Sequence, residues 1–221
     1  MSPMGGADNH EDTPPATWAE EAKVGWYLDR VGQLPPRIAG EELLRSVLPA
    51  EPRSLLDLGC GDGRLAALAL EARPMLSSIV ALDVSPPMLE RARGRFRSDH
   101  RVTVHEWDMA DSIESFGSFD VVVSGFAIHH LEDERKQGLF AEVANQLHAG
   151  GLFANLEVIA SATPELHAEF LATIGRTAND PEDHLADVEV QLRWMREAGL
   201  TQVDCLWRWR GFALLVGRGS L

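Results

Sequence analysis

Short apolar runs alternate with amphipathic stretches along most of this chain, and their order predicts strands and helices in turn. Runs such as Val121–Val123 are typical of strands that are buried on both faces of a parallel sheet. Strands are predicted at 54–58, 78–83, 102–106, 119–125, 151–158, 201–209 and 211–217. Helices are predicted at 17–33, 38–47, 63–73, 86–97, 132–147 and 186–198. The expected fold class is α/β, a doubly wound sheet of about seven strands, mostly parallel, with an antiparallel C-terminal hairpin.

Three parts of the chain differ in composition. Residues 1–16 are polar and contain paired glycines and paired prolines, so a disordered tail is expected there. Residues 17–50 are expected to form an N-terminal helical cap, and residues 51–221 the main domain. Segment 159–187 interrupts the alternation of strands and helices after the fifth strand, on the side where such sheets bind ligands. Together with the N-terminal helices, this segment is expected to form a lid over the substrate.

Composition and charge limit the classes of function. The net charge of −14 argues against a nucleic-acid substrate, because binding to nucleic acid depends on neutralising phosphates. The arginine cluster at Arg91–Arg97 is expected to be a solvated helix face. Neither a membrane span nor a secretory signal is expected, since long apolar runs are absent and Met1–Pro15 is polar. Cys60 and Cys205 do not make a disulfide framework, which favours the cytoplasm, and a monomer or homodimer is expected.

The segment from Asp57 to Arg64 carries the most specific signal. Its glycines, at positions 59, 61 and 63, follow a predicted strand, where open α/β sheets bind ligands. A dinucleotide-binding loop has the spacing G-x-G-x-x-G, but arginine stands at position 64, and no lysine follows the glycines as in a P-loop. The carboxylate of Asp57 would repel a pyrophosphate and suit a cationic group. A nucleoside ligand that carries positive charge, such as S-adenosylmethionine (SAM), fits this combination.

The same residues resemble motif I of the class I SAM-dependent methyltransferases. The resemblance continues in chain order over 54–158, at Val80–Ser85, Trp107–Ala110, Phe119–Ser124 and His148–Phe153. It implies a Rossmann-like domain that binds SAM, methylates an O, N or C nucleophile of a small molecule and releases S-adenosylhomocysteine. Two alternatives remain open: SAM-dependent chemistry other than methyl transfer, such as carboxyl transfer or cyclisation, and a SAM-binding protein without catalysis.

Acidic residues at the ends of the second and third strands are expected to bind the nucleoside. Asp83 is placed to accept hydrogen bonds from both ribose hydroxyls, whereas Ser85 is the better N-cap for the helix that follows. The resemblance assigns the adenine amino group to Asp108 and a backbone amide contact to Met109.

Further contacts are expected around this core of the site. Trp107 or Met88 either packs on the adenine or belongs to the protein core, and Gly125 would permit close approach of a ligand. The resemblance implies that Tyr27 and Arg37 close over the methionine part of SAM, with the arginine pairing with its carboxylate. Otherwise Tyr27 is a packing residue and Arg37 a surface residue. The full set predicted to bind the cofactor is Asp57, Gly59, Cys60, Gly61, Asp83, Val84, Met88, Asp108, Met109, Gly125, Tyr27 and Arg37.

Two histidines, His129 and His130, follow the fourth strand, next to the expected position of the methyl group. A histidine there could take a proton from a hydroxyl or amine nucleophile, and His129 is the first choice for this catalytic role. Both could equally be structural, with His130 capping the helix expected at 132, since methyl transfer depends mainly on alignment of the reactants. No metal is expected, because Phe126 and His129 stand where some members of the family place glutamates.

Overall fold

The computed structural model describes residues 17–221, so the tail predicted at 1–16 lies outside the described residues. Two helices precede the sheet, α1 at Glu21–Arg30, followed by a 3₁₀ turn at Val31–Gln33, and α2 at Pro35–Val47. Helix α2 begins before the predicted start at residue 38 and includes Pro35 and Pro36. They occupy the first positions of α2, where backbone N–H groups have no partner within the helix and the fixed φ of proline is already helical.

Within the described residues, seven strands form one sheet. They are β1 Ser54–Leu58, β2 Ser78–Asp83, β3 Val102–Glu106, β4 Phe119–Gly125, β5 Leu147–Val158, β6 Thr201–Trp209 and β7 Phe212–Arg218. Their order across the sheet is β3-β2-β1-β4-β5-β7-β6, with β1 to β5 parallel and β7 antiparallel to both of its neighbours. The predicted fold class, a mostly parallel sheet with an antiparallel C-terminal hairpin, is therefore confirmed.

Helices follow most of the strands, and one of them was not predicted. The helices after β1 are α3 Arg64–Ala72, α4 Pro86–Arg95, α5 Asp133–Gln146, α6 Pro164–Thr173 and α7 Val188–Glu197. Helix α6 lies inside segment 159–187. Thr163 caps its start, because the hydroxyl accepts a hydrogen bond from the N–H of Leu166 at 3.3 Å. None of the helices among residues 17–221 is long and apolar enough to cross a membrane.

Helices cover the sheet on both faces. On one face, Leu56 and Leu58 of β1 belong to a buried cluster with side chains of α5 and α7. On the other face, Leu55 belongs to a second cluster with side chains of α2, α3 and α6. Val121–Val123 of β4 are fully buried, as predicted for a strand between two helical layers. The two clusters fix β1 and β4 in place, and with them the loops at the carboxyl ends of these strands.

The carboxyl ends of β1 and β4 mark the point where the connections change direction across the sheet. After β1 the chain continues to β2 on one side, whereas β4 pairs with the opposite side of β1. Loops that leave adjacent strands at such a point diverge and leave a crevice in which open α/β sheets bind ligands. Residues 59–63 follow β1 at this edge, and residues 126–130 follow β4 beside them.

Candidate functional site

A cavity of about 480 Å³, termed the main cavity, occupies this crevice. Residues at the carboxyl ends of β1, β2 and β4, from the N-terminal cap and from segment 159–187 line it. The whole predicted cofactor set is part of its wall, namely Tyr27, Arg37, Asp57, Gly59, Cys60, Gly61, Asp83, Val84, Met88, Asp108, Met109 and Gly125. Of the two histidines, His130 lines the main cavity and His129 does not.

The turn after β1 requires glycine for two separate reasons. Gly59, Gly61 and Gly63 have φ angles of +66°, +54° and +81°, in the left-handed region that favours glycine. A Cβ added at Gly59 would also collide with the Cβ of Ala127 and lie 2.6 Å from Cε of Met109. The backbone of this turn is therefore packed against the loops that follow β3 and β4.

Asp57 is buried beneath the glycine turn. Its Oδ2 accepts a hydrogen bond from the N–H of Ala66 at 3.1 Å. Burial raises the pKa of Asp57 to about 7; the hydrogen bond from Ala66 opposes the rise, and the charges of Asp83 and Asp62 add to it. Burial and the neighbouring carboxylates thus disfavour the negative charge of ionised Asp57. A cationic ligand group beside it would offset that charge and would therefore be bound favourably.

Asp83, at the end of β2, joins the glycine turn to α4. Its Oδ2 accepts a hydrogen bond from the N–H of Gly61 at 2.8 Å, and its Oδ1 accepts one from the N–H of Ser85 at 2.8 Å. Burial raises the pKa of Asp83, and these hydrogen bonds oppose the rise. Ser85 caps α4 as predicted, because its hydroxyl accepts a hydrogen bond from the N–H of Met88 at 3.4 Å. The carboxylate of Asp83 is thus held in a fixed orientation at the main cavity.

Arg37 of α2 is buried in the wall of the main cavity, so the alternative of a surface position was wrong. Its Nε donates a hydrogen bond to Glu41 at 2.8 Å, and its Nη1 donates one to the hydroxyl of Tyr27 at 2.6 Å. The carboxylate of Glu41 also accepts hydrogen bonds from Nε and Nη2 of Arg64 at 2.7 and 2.6 Å. Two guanidinium groups that share one carboxylate leave a surplus positive charge in this part of the cavity.

Glu41 and Arg64 are site residues that the sequence analysis missed. In the sequence, Arg64 serves only to exclude a dinucleotide-binding loop, and Glu41 belongs to no motif. Two signals could have found them. Arg37 and Glu41 are spaced i, i+4 on one helix, and Arg64 opens the helix that follows the glycine turn.

The loop after β4 packs closely against α3 at Gly125 and contains a strained residue at Phe126. Gly125 lines the main cavity, and a Cβ there would lie 2.7 Å from Cδ1 of Leu65, so this glycine permits the close approach of α3. Phe126 has a φ of +54°, which bulky residues rarely adopt, and its N–H donates a hydrogen bond to the carbonyl of Leu156 at 2.8 Å. Its ring centroid lies 5.0 Å from Cζ of Arg37. Strain at a cavity wall suggests that the position of this ring matters for function.

The residues expected at the adenine contribute to the main cavity in different ways. Asp108 is exposed, and its Oδ1 accepts a hydrogen bond from the N–H of Ala110 at 2.8 Å. Met88 and Trp107 are both buried. Trp107 belongs to the core cluster with α5 and α7, and its Nε1 donates a hydrogen bond to the carbonyl of Ser112 at 3.3 Å. Trp107 is therefore a core residue that also forms part of the cavity wall.

A second cavity of about 60 Å³, termed the side cavity, adjoins the main cavity. Trp18, Tyr27, Phe126 and His130 line both cavities. His129 lines the side cavity alone. The two cavities therefore share an aromatic wall, and His130 stands between them.

His129 is buried between β5 and segment 159–187. Its Nδ1 lies 2.6 Å from Oε1 of Glu157, and its Nε2 lies 3.4 Å from Oδ1 of Asp183. Although burial lowers it, the charges of Glu157 and Asp183 raise the pKa of His129 to about 9. A histidine that is protonated at neutral pH and lies outside the main cavity is not available as a base. His129 is therefore a poorer candidate for the base than His130, and a catalytic role for either histidine stays a prediction.

His130 has the opposite character. Its Nδ1 lies 3.3 Å from the carbonyl of Glu182, which can only accept, so Nδ1 carries the proton and Nε2 is the acceptor nitrogen. Burial, together with the charge of His129, lowers the pKa of His130 to about 3. The alternative that His130 caps α5 was wrong, because Glu132 occupies the N-cap position.

Known proteins are similar to this chain in sequence and in fold. Residues 55–151 match the family described as Methyltransferase domain. An uncharacterized methyltransferase of Mycobacterium bovis is 34% identical over 126 residues, which are 57% of this chain and 59% of the relative. The chain thus spans less than two thirds of that relative. A carboxy-S-adenosyl-L-methionine synthase of Aeromonas hydrophila is 29% identical over 180 residues, 72% of this chain and 71% of the relative.

The structure of an O-methyltransferase family protein from Burkholderia thailandensis has the same fold, with a TM-score of 0.70 at 22% identity. The similarity covers 92% of this chain and 61% of that one. The strand order, the glycine turn and the acidic residues at the ends of β1 and β2 define a Rossmann-like, SAM-using class of protein. The family match over residues 55–151 and the methyltransferase relatives support a class I SAM-dependent methyltransferase.

Proposed function

We propose that this protein transfers the methyl group of SAM to an O, N or C nucleophile of a small molecule. The observation that carries the proposal is the convergence of the whole predicted cofactor set on one cavity. Its volume of about 480 Å³ falls within the range of small-molecule sites, about 300–1,000 Å³. The sequence relatives and the structural neighbour support the same class of enzyme.

The charged residues of the main cavity complement the charged groups of SAM. SAM supplies an electrophilic methyl group, and its methionine part carries an ammonium and a carboxylate. The surplus positive charge of Arg37 and Arg64 around Glu41 suits the carboxylate, and Asp57 suits the ammonium. Each oxygen of Asp83 accepts one backbone hydrogen bond and keeps a lone pair for a ribose hydroxyl.

The acceptor lies, in this proposal, beside Phe126 and His130, where the two cavities meet. Nε2 of His130 can accept a proton, whereas the protonated His129 cannot. A hydroxyl that receives a methyl group becomes positively charged and strongly acidic, so even a weakly basic imidazole takes its proton. Trp18 and Tyr27 provide an aromatic surface against which the body of the acceptor packs.

Carboxyl transfer is the second candidate, because the carboxy-S-adenosyl-L-methionine synthase covers most of this chain. A carboxyl donor is an anion, which needs a cation beyond those that bind SAM. Among the described residues that line the main cavity, Arg37 and Arg64 already share Glu41, whereas Asp108 and Glu182 add negative charge. This balance favours a neutral or cationic acceptor and hence methyl transfer.

The test measures cofactor binding and product formation separately. Calorimetric titration should show saturable binding of SAM and of S-adenosylhomocysteine. Release of S-adenosylhomocysteine over a panel of phenols, amines and carboxylic acids then identifies the acceptor class. Failure to bind SAM would contradict the proposal, and a carboxylated sulfonium product would favour the second candidate. Sedimentation of the same sample tests the prediction of a monomer or homodimer.

A further inference from the structure

The turn at 180–184, within segment 159–187, covers the site. Glu182 and His184 line the main cavity, and Asp183 lines the side cavity. The backbone of the turn is fixed to the loop after β4, because the N–H of His184 donates a hydrogen bond to the carbonyl of His129 at 2.8 Å. The buried ammonium of Lys136 on α5 donates another to the carbonyl of His184.

Charged side chains hold the same turn from the side of α1. Lys23, which is 2% exposed, pairs with Glu182 at 2.7 Å and with Asp180 at 3.3 Å. Its ammonium also lies 4.8 Å from the ring centroid of Trp18. The N-terminal cap and the turn are therefore joined beside the side cavity by a buried cation.

From the side of the sheet, His129 forms the bridge. One of its nitrogens contacts Glu157 of β5 and the other faces Asp183 of the turn. Oδ1 of Asp183 lies 3.4 Å from Nε2 of His129 and 3.6 Å from Nδ1 of His130. A single carboxylate oxygen thus acts on both imidazole rings. Arg176, 4.0 Å from Oδ2 of Asp183, is the other charged group that faces this carboxylate among the described residues.

We propose that Asp183 is a positioning residue, which clamps His129 against Glu157, holds the turn at 180–184 closed over the main cavity and orients His130 for the acceptor. Its effect on turnover rests on the proposed function, whereas its effect on closure does not. Asp183 lies outside the wall of the main cavity and so acts through the two histidines. Its carboxylate favours the tautomer of His130 in which Nδ1 carries the proton.

The experiment compares Asp183→Asn with Glu165→Gln, a matched loss of an exposed carboxylate on α6 of the same segment. Asp183→Asn should lower kcat by about tenfold, leave the KM for SAM within about twofold, and increase amide hydrogen exchange over 176–186. Glu165→Gln should change neither kcat nor the amide hydrogen exchange over 176–186. Asp183→Glu, which keeps the charge, should recover part of both effects. If Asp183→Asn does not fold, the Asp183→Glu variant gives the same comparison at reduced amplitude.

Unchanged exchange over 176–186 in Asp183→Asn would overturn the proposal whether or not an acceptor is known. Faster exchange with an unchanged kcat would overturn its catalytic part alone. Donor atoms of His129, His130 and Asp183 all lie within 4.8 Å of one another, a spacing that suits a metal ion. Metal analysis of the purified protein therefore belongs to the test, because a stoichiometric divalent metal that is lost in Asp183→Asn would make these residues ligands and overturn the clamp. Absence of SAM binding by the unaltered protein would instead count against the proposed function.

Discussion

The hydroxyl of Tyr27 accepts a hydrogen bond from Nη1 of Arg37 at 2.6 Å, and this contact joins α1 to α2 at the wall of the main cavity. The guanidinium also lies 5.4 Å from the centroid of the tyrosine ring. Both residues precede the stretch 55–151 that matches the methyltransferase family. The N-terminal helical cap therefore contributes to the same cavity as the sheet.

Replacing Arg37 by alanine should weaken SAM binding by about tenfold or more, since a charged hydrogen bond contributes about 1.5–3 kcal/mol. The change also leaves Tyr27 without its hydrogen-bond donor. Calorimetry measures the effect, and Arg30→Ala, an exposed arginine of α1, is the control. Equal affinity of the two variants for SAM would show that Arg37 does not bind the carboxylate.

Asp83→Ala should weaken SAM binding by at least about tenfold, because the ribose hydroxyls lose a charged acceptor. The same carboxylate holds the N–H groups of Gly61 and Ser85, so thermal unfolding without SAM should be measured in parallel. Asp204→Ala, which removes an exposed carboxylate on β6, provides the comparison. Undiminished SAM binding by Asp83→Ala would contradict the assignment of Asp83 to the ribose hydroxyls.

The affinity for SAM should increase as the pH rises through about 7, because Asp57 must be ionised to pair with the ammonium. The pKa of Asp57 lies above its ordinary value in the folded protein. Without ligand, its contribution to the free energy of unfolding is therefore present at low pH and is lost between about pH 4 and 7. Titrations at several pH values and thermal unfolding measure the two effects. Asp57→Asn should flatten both profiles, and an unchanged slope would contradict the assignment.

Gly59→Ala should destabilise the protein by about 1–3 kcal/mol and abolish SAM binding, because the new Cβ meets Ala127 and Met109 and the φ is positive. Gly94→Ala is the matched control. Nothing lies within 4 Å of a Cβ at Gly94 in α4, so its replacement should stabilise slightly, by about 0.4–1 kcal/mol. Urea denaturation distinguishes the two. Similar free energies of unfolding would mean that the glycine turn tolerates a side chain.

The sheet and the predicted cofactor set follow from local sequence, for a physical reason. Asp57 and Asp83 stand at the ends of neighbouring parallel strands, and such ends meet at one edge of a sheet. Strand identity comes from apolar runs such as Val121–Val123, so the edge can be predicted without long-range contacts. The match between the predicted set and the cavity wall rests on this property of parallel sheets.

The roles of the two histidines could not be predicted in the same way. His129 and His130 are adjacent in the chain, yet the pKa of one is raised and that of the other lowered. The difference depends on Glu157 and Asp183, which are distant in sequence and approach His129 only after folding. The i, i+4 spacing could have indicated the pairing of Glu41 with Arg37, but its second pairing, with Arg64, forms only when α2 packs beside α3.

Strand β7, which follows the other six strands of the described residues along the chain, lies between β5 and β6. It pairs with β5 from Leu152↔Arg218 to Val158↔Phe212, and its Leu214 and Leu215 are fully buried. Until Phe212–Arg218 leaves the ribosome, β5 has an unpaired, apolar edge and β6 has no neighbour in the sheet. A folding chain of this protein therefore presents an aggregation-prone edge until β7 has joined the sheet, and chaperone binding would protect it most before that step.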